Sequence, residues 1–349
     1  MRVRALVVAS VTAATLGLAV PSVFVGPVHV ALGAVEPDST DAGRPTNGVR
    51  ALGSVVPIAG DDPSCPADQE CRAFEVTCPD VQEPVQGFIA TGTAFAAARG
   101  VLVTFHGGIG RDYQFGEDGS EFIARMRDAG ITTVQVRWEQ PWLYAAPGEN
   151  AGTQVLACRS ASVIAWIHDT VFASLGAPSL GAGRCGFCLT GNSGGASQIS
   201  YALSHYGLDT IVDGIFPSSG PPHAAMAKAC RHSSAEAGYW FPNPKAELID
   251  GARGFFHGDG PCLNHDTSFI TRWLDEGVDT GGADYLHPTT RVHFFLGAND
   301  DGYIHAHARD YAKRLKKSGT EDVTVDVIPG MGHTPSKQCV VALGDAILA

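Results

Sequence analysis

The sequence predicts an α/β fold, with a mostly parallel central sheet, helices on both faces and an inserted lid. Three observations lead there. Short, nearly uninterrupted apolar runs such as Val101-Leu102-Val103-Thr104-Phe105 read as strands buried on both faces. These runs alternate with stretches of helical period, which implies βαβ units and a parallel sheet. Roughly 70 residues, about 220–290, break the alternation, and a stretch of that length without clean period inside one domain marks an insertion.

Taken in order, the chain opens with Arg2 and Arg4 before an uncharged apolar run, Ala5 to Val20, with small residues following at Ala31-Leu32-Gly33-Ala34. A basic start, an apolar core and a small-residue exit read as a secretory signal peptide over 1–34. The rival reading is an uncleaved membrane anchor, and Pro21 and Pro27 break a helix late in the run, which favours cleavage. From 35 to 69 the composition turns to Pro, Gly, Asp, Ser and Thr without apolar period, as in a linker or poorly ordered arm. The main domain is expected over 70–349.

Within it, Phe74-Glu75-Val76 and Gly87-Phe88-Ile89 form an expected antiparallel opening pair, followed by strand 101–105 and a helix over 121–129. Strand 132–137 and a longer helix, 154–172, come next, the helix with Val163, Ile167 and Val171 in register. Strand 187–191, helix 196–205 and strand 210–216 continue the pattern. After the insertion come strand 292–296, a helix with Ile304, Ala308, Tyr311 and Leu315 on one stripe, strand 323–328 and a terminal helix. The insertion is rich in Gly, Pro, His and aromatics, and reads either as a lid or as a small structural core of its own.

The 349 residues are 44% apolar and 17% charged, enough for a large buried core. Lys and Arg total 24 against 36 Asp and Glu, a net charge of -12, and loss of Arg2 and Arg4 with the signal takes it to -14. Such a chain offers no footprint for a nucleic-acid backbone and is not drawn to an anionic membrane surface. No stable membrane insertion is expected after signal cleavage. Nine cysteines in an oxidising compartment should largely pair and leave at least one over. Cys230 and Cys262 both fall in the insertion, which allows a disulfide pinning it. Cys185-Gly186-Phe187-Cys188 has redox spacing but runs into a strand rather than opening a helix, and we reject that role. No Cys or His cluster has zinc spacing.

Gly191-Asn192-Ser193-Gly194-Gly195 is the one G-x-S-x-G run, and it follows an apolar strand and opens a helix. A sharp strand-to-helix turn with small flanking residues presents Ser193 above the carboxyl end of the sheet. A serine nucleophile needs a base, and the base an orienting acid. Strand 292–296 runs into Gly297-Ala298-Asn299-Asp300-Asp301, placing a carboxylate where a triad acid belongs. Asp300 is the first candidate and Asp301 its close competitor, one of the two being a helix N-cap. Strand 323–328 leads into Pro329-Gly330-Met331-Gly332-His333, a histidine downstream of both. The turn Phe105-His106-Gly107-Gly108-Ile109-Gly110 supplies backbone N–H groups, and those of Gly108 and Gly194 form a candidate oxyanion hole.

The strand-HGGIG turn, the GNSGG elbow, the late G-x-x-D and the GMGH run, in that order over about residues 70 to 349, resemble the α/β-hydrolase superfamily. Ile109 stands where many hormone-sensitive-lipase-like esterases carry a third glycine, so the turn resembles the broader HGxxG pattern. The resemblance implies a secreted serine hydrolase that cleaves carboxylic esters, small-molecule or polymeric, through an acyl-enzyme and needs no metal or organic cofactor. A peptidase or amidase on the same triad is the alternative, and a non-catalytic binding protein is disfavoured by an intact Ser, Asp and His. Of the remaining residues, His305 and His307 read as a solvated helix start, and His223, His232, His257 and His265 as scattered polarity of the insertion. His106 structures its turn. Trp138 and Trp142 either wall the pocket or pack in the core.

Overall fold

The structure is a computed structural model and describes residues 49–113, 116–176, 185–278 and 282–349. The expected signal peptide, 1–34, and the first part of the linker lie outside the described residues. Nine strands form one sheet in the order β1-β2-β3-β5-β4-β6-β7-β8-β9. They are β1 (Ser54–Ile58), β2 (Glu70–Thr77), β3 (Val85–Gly92), β4 (Gly100–Phe105), β5 (Ile131–Trp138), β6 (Phe187–Asn192), β7 (Gly214–Ser218), β8 (Arg291–Gly297) and β9 (Val323–Ile328). The pairs β1–β2, β2–β3 and β3–β5 are antiparallel, and every pair from β5 through β4 to β9 is parallel.

Pleating divides the central strands between two cores. Val101, Val103 and Phe105 face one way, with Leu189, Ile215 and Phe294, against α3 (Cys158–Ile167), α4 (Gly194–Tyr206) and α8 (Gly302–Ser318). Leu102, Phe216 and Phe295 face the other way, against Phe122, Ile123 and Met126 of α1 (Gly116–Asp128) and Leu343 and Ile347 of α9 (Lys337–Leu348). This is why the strands read as continuous apolar runs: both faces are covered. The expected helix 154–172 divides into α2 (Thr153–Leu156), α3 and a π-turn over His168–Phe172. The run Thr153–Leu175 has the length and apolarity of a membrane-spanning helix, yet it is mostly buried within the domain.

Two expectations need correction. Residues 49–69 are not a loose arm: β1 pairs with β2 along its whole length, Val56 opposite Glu75. Being an edge strand it tolerates Pro57, and its shallow burial hides the alternation that would have announced it. The Asp62 carboxylate is buried and accepts from Arg137 Nε at 3.0 Å and Nη2 at 2.9 Å, and Cys65–Cys71 closes the adjoining loop. The strand expected over 210–216 instead runs Gly214–Ser218, after a 3-10 turn at Leu208–Thr210. Asp213, just before it, accepts the N–H groups of Gly186 and Phe187 on its carboxylate at 3.0 and 2.8 Å.

The insertion between β7 and β8 carries α5 (Met226–Arg231), α6 (Asn243–Gly251) and α7 (Ile270–Glu276). Cys230–Cys262 crosses it. Asp250 accepts the N–H groups of Cys262 and Leu263 at 2.7 and 2.9 Å, ordering the loop that carries the disulfide. A buried Arg253–Glu276 ion pair at 2.7 Å anchors it to the main body, since Glu276 also accepts the N–H of Thr153 at 2.9 Å. Among the described residues the insertion therefore has no separate core: Cys230, Phe241, Ile249 and Trp273 are buried in the same core as one face of the sheet, and the ion pair fastens it there.

Candidate active site

Ser193 stands between β6 and α4 with φ 54° and ψ -115°, a left-handed backbone that a side chain rarely adopts. Holding it there stores about 1–3 kcal/mol of strain. The turn closes because two glycines let backbones meet. A Cβ on Gly191 would overlap the backbone of Gly195, and one on Gly195 would overlap the carbonyl oxygen of Phe105.

Three side chains converge above the carboxyl ends of β6, β8 and β9. Ser193 Oγ lies 2.8 Å from His333 Nε2. His333 Nδ1 lies 3.1 Å from Asp300 Oδ1 and 3.4 Å from Oδ2. With the ring proton on Nδ1 donated to Asp300, Nε2 is left to accept from the serine hydroxyl. The Asp300 side chain is 1% exposed and His333 39%, so the carboxylate is shielded while the imidazole can meet a ligand. Asp301 stands at the N-terminus of α8, exposed, and its side chain makes no capping bond. Of the two sequence candidates, Asp300 is the one beside His333.

Adjacent parallel strands bring these loops together. Ala298 N–H donates to Ile328 O at 3.0 Å and Asn299 N–H to Met331 O at 2.8 Å. A side chain on Gly297 would overlap the carbonyl oxygen of Gly332.

Gly108 and Gly194 also meet. Gly108 has φ 59°, and a Cβ on Gly194 would overlap the Gly108 carbonyl oxygen. Among the described residues neither N–H donates to a protein acceptor. Trp142 Nε1–H donates to Gly108 O at 3.3 Å and sets the direction of that peptide. His106 sits beside the turn with Nδ1 3.2 Å from Gly107 O, and burial pushes its pKa down, so it stays neutral there.

No family model matches the chain, and no curated protein matches it either. Solved structures do. A bacterial heroin esterase is 15% identical with a TM-score of 0.50, covering 81% of this chain and 86% of that one. Brefeldin A esterase, described as a bacterial homologue of human hormone sensitive lipase, is 16% identical with a TM-score of 0.49, covering 82% and 76%. Est1E from Butyrivibrio proteoclasticus is 12% identical with a TM-score of 0.46, covering 78% and 96%. This is the α/β-hydrolase fold. At such identities the likeness speaks to the fold, and the chemistry rests on the residues themselves.

In this α/β-hydrolase fold the insertion roofs a small cavity of about 60 Å³ in front of Ser193 and His333. Trp142 is one wall and Phe241, Ile249 and Tyr303 others. Both tryptophans are wholly buried, but Trp138 does not line the cavity, and its Nε1–H donates to Gln198 Oε1 at 2.8 Å.

Several supporting residues escaped the sequence reading. Asn192 Nδ2 donates to the carbonyl oxygens of Ser218 and His333 at 3.3 and 3.2 Å, and Ser219 Oγ donates to Gly332 O at 3.4 Å. The only signal for Asn192 was its place as the variable residue of G-x-S-x-G. The expectation of a solvated start to α8 is overturned. His305 Nε2–H donates to Gly297 O at 2.8 Å. His307 is fully buried, accepting the Ala225 N–H at Nδ1 and donating from Nε2 to Tyr239 O. His223 is no scattered polarity either: it is wholly buried with Nε2 2.9 Å from His205 Nε2.

Proposed function

We propose that this chain is a secreted serine hydrolase acting on carboxylic esters through an acyl-enzyme. The observation that carries the reading is the Ser193–His333–Asp300 relay at 2.8 and 3.1 Å, ending on a strained serine at a helix start. His333 Nε2 takes the hydroxyl proton as Ser193 Oγ bonds to the acyl carbon, and Asp300 stabilises the imidazolium. The Gly108 and Gly194 N–H groups receive the oxyanion, with the positive end of α4 behind them. His333 then returns the proton to the departing alkoxide. Water, deprotonated by the same imidazole, releases the acid and restores Ser193. Four disulfides support an oxidising compartment for the folded chain. The apolar character of most of the walls supports an ester whose acyl carbons next to Ser193 are uncharged and of modest size.

The test is labelling of the purified protein with a fluorophosphonate probe, beside Ser193→Ala, followed by panels of acyl esters and peptide amides. Labelling that depends on Ser193, with turnover of esters above amides, is the expected result. A folded protein that takes no label and turns over no ester would overturn the reading.

A further inference from the structure

The cavity in front of Ser193 has one fixed cation on its wall. Lys245 lines it together with Ser193 and His333, and no Asp or Glu does. Among the described residues Lys245 makes no ion pair and its side chain donates no hydrogen bond, although other basic residues of the insertion do: Lys228 holds Asp310, Arg231 holds Glu236 and Arg253 holds Glu276. Lys245 is also poorly placed for its own helix. It lies in the first turn of α6, where a positive charge adds to the positive helix end instead of offsetting it. That turn has no acidic residue and no side-chain cap. Its neighbours one turn on are Leu248 and Ile249, so no carboxylate lies at helical spacing to neutralise it. The chain itself carries an excess of negative charge, which sets an uncompensated lysine on this wall apart.

We propose that Lys245 is a specificity-determining residue that pairs with an anionic group on the ester substrate, selecting carboxylate-bearing esters over neutral ones of the same shape. The inference rests on the serine-hydrolase reading above and deepens it. The anion belongs to the part of the substrate that reaches past the apolar walls. A charge-assisted bond from Lys245 then adds to binding without entering the chemical step. The carboxylate lies either on the far end of the acyl chain or on the alcohol.

The experiment compares kcat/KM within matched pairs. For the acyl side the pair is 4-nitrophenyl hemiglutarate and 4-nitrophenyl valerate. For the alcohol side it is 4-acetoxybenzoate and 4-acetoxybenzamide. Each is measured with the wild type, Lys245→Met, which keeps the apolar stem, Lys245→Arg and Lys245→Glu. Taking the anionic-to-neutral ratio within each variant cancels differences in folded fraction. In one of the two pairs the ratio is expected to fall about tenfold or more in Lys245→Met, mainly through KM, to be kept in Lys245→Arg and to fall furthest in Lys245→Glu. High salt should shrink the wild-type ratio. Ratios unchanged by all three substitutions in both pairs, with the neutral esters still turned over, would overturn this inference alone. No turnover of any ester by folded wild type would overturn it together with the hydrolase reading.

Discussion

Asn192 donates from Nδ2 to the carbonyl oxygen of His333 at 3.2 Å, tying the residue before the serine to the backbone of the histidine 141 positions later. The same amide group holds Ser218 O at the end of β7, so one buried side chain couples the elbow, the neighbouring strand and the histidine loop. Asn192 acts as a positioning residue: it does not line the cavity in front of Ser193 but fixes the backbone of His333, and with it where the imidazole stands relative to Ser193 Oγ. Asn192→Ala should lower kcat by about tenfold to a hundredfold with a smaller effect on KM, because misplacing the base weakens the transition state. Asn192→Asp should not rescue it, since a carboxylate cannot donate to two carbonyl oxygens. Steady-state kinetics on a neutral short-chain ester reads both.

The two adjacent aspartates should separate cleanly. Asp300→Asn is expected to lower kcat/KM by about 10²- to 10⁴-fold, since the imidazole loses the partner that fixes its tautomer. Asp301→Asn, at an exposed position with no capping bond, should leave it within about a factor of two. Comparable losses in both would refute the assignment of Asp300.

Glycine substitutions give a steric contrast. In Gly194→Ala the added methyl meets the Gly108 carbonyl oxygen and pushes the two candidate oxyanion donors apart. A loss of about 10²- to 10³-fold in kcat is expected. Gly302→Ala, at the start of α8 with open space around it, should keep activity and raise stability by up to about 1 kcal/mol. Kinetics and melting temperature, measured on both, distinguish a site effect from general damage.

Burial pushes the pKa of His307 down to about 4, although its bond to Tyr239 O acts the other way. In the unfolded chain an ordinary histidine titrates near 6.5. Between about pH 6.5 and 4 the unfolded chain therefore binds more protons at this residue, and stability falls as the pH falls. The full effect is about 3 kcal/mol, complete near pH 4. Denaturant titrations from pH 7 to 4.5 should show this decline, and His307→Gln should make it shallower without abolishing it, because burial also depresses His223, His287 and His293.

Loop length orders the disulfides. Cys78–Cys158 spans 80 residues and Cys65–Cys71 only six. Removing the first by double Cys→Ser substitution should cost about 4 kcal/mol and the second about 2, on chain-entropy grounds. Cys339 is the free cysteine, buried, with its thiol pushed up to about 12 by that burial. A thiol reagent should find no reactive cysteine in the native protein and one in denaturant.

Much of the molecule was legible in its sequence because the signals concerned are local. Pleating on a two-sided sheet demands apolar runs, helices demand their own period, and the sharp turn at Ser193 demands glycine at 191 and 195. The order of Ser193, Asp300 and His333, each just past the carboxyl end of a strand, follows from those signals alone. What lay beyond them depended on pairings across the sheet. Whether Asp300 or Asp301 faces His333 is a matter of direction between adjacent residues, decided when β8 and β9 align. The burial of His307, the pairing of β1, the choice of partners among nine cysteines and the reach of Asn192 to His333 join residues distant in sequence. Local propensity carries no record of such neighbours, because packing of the strand order creates them.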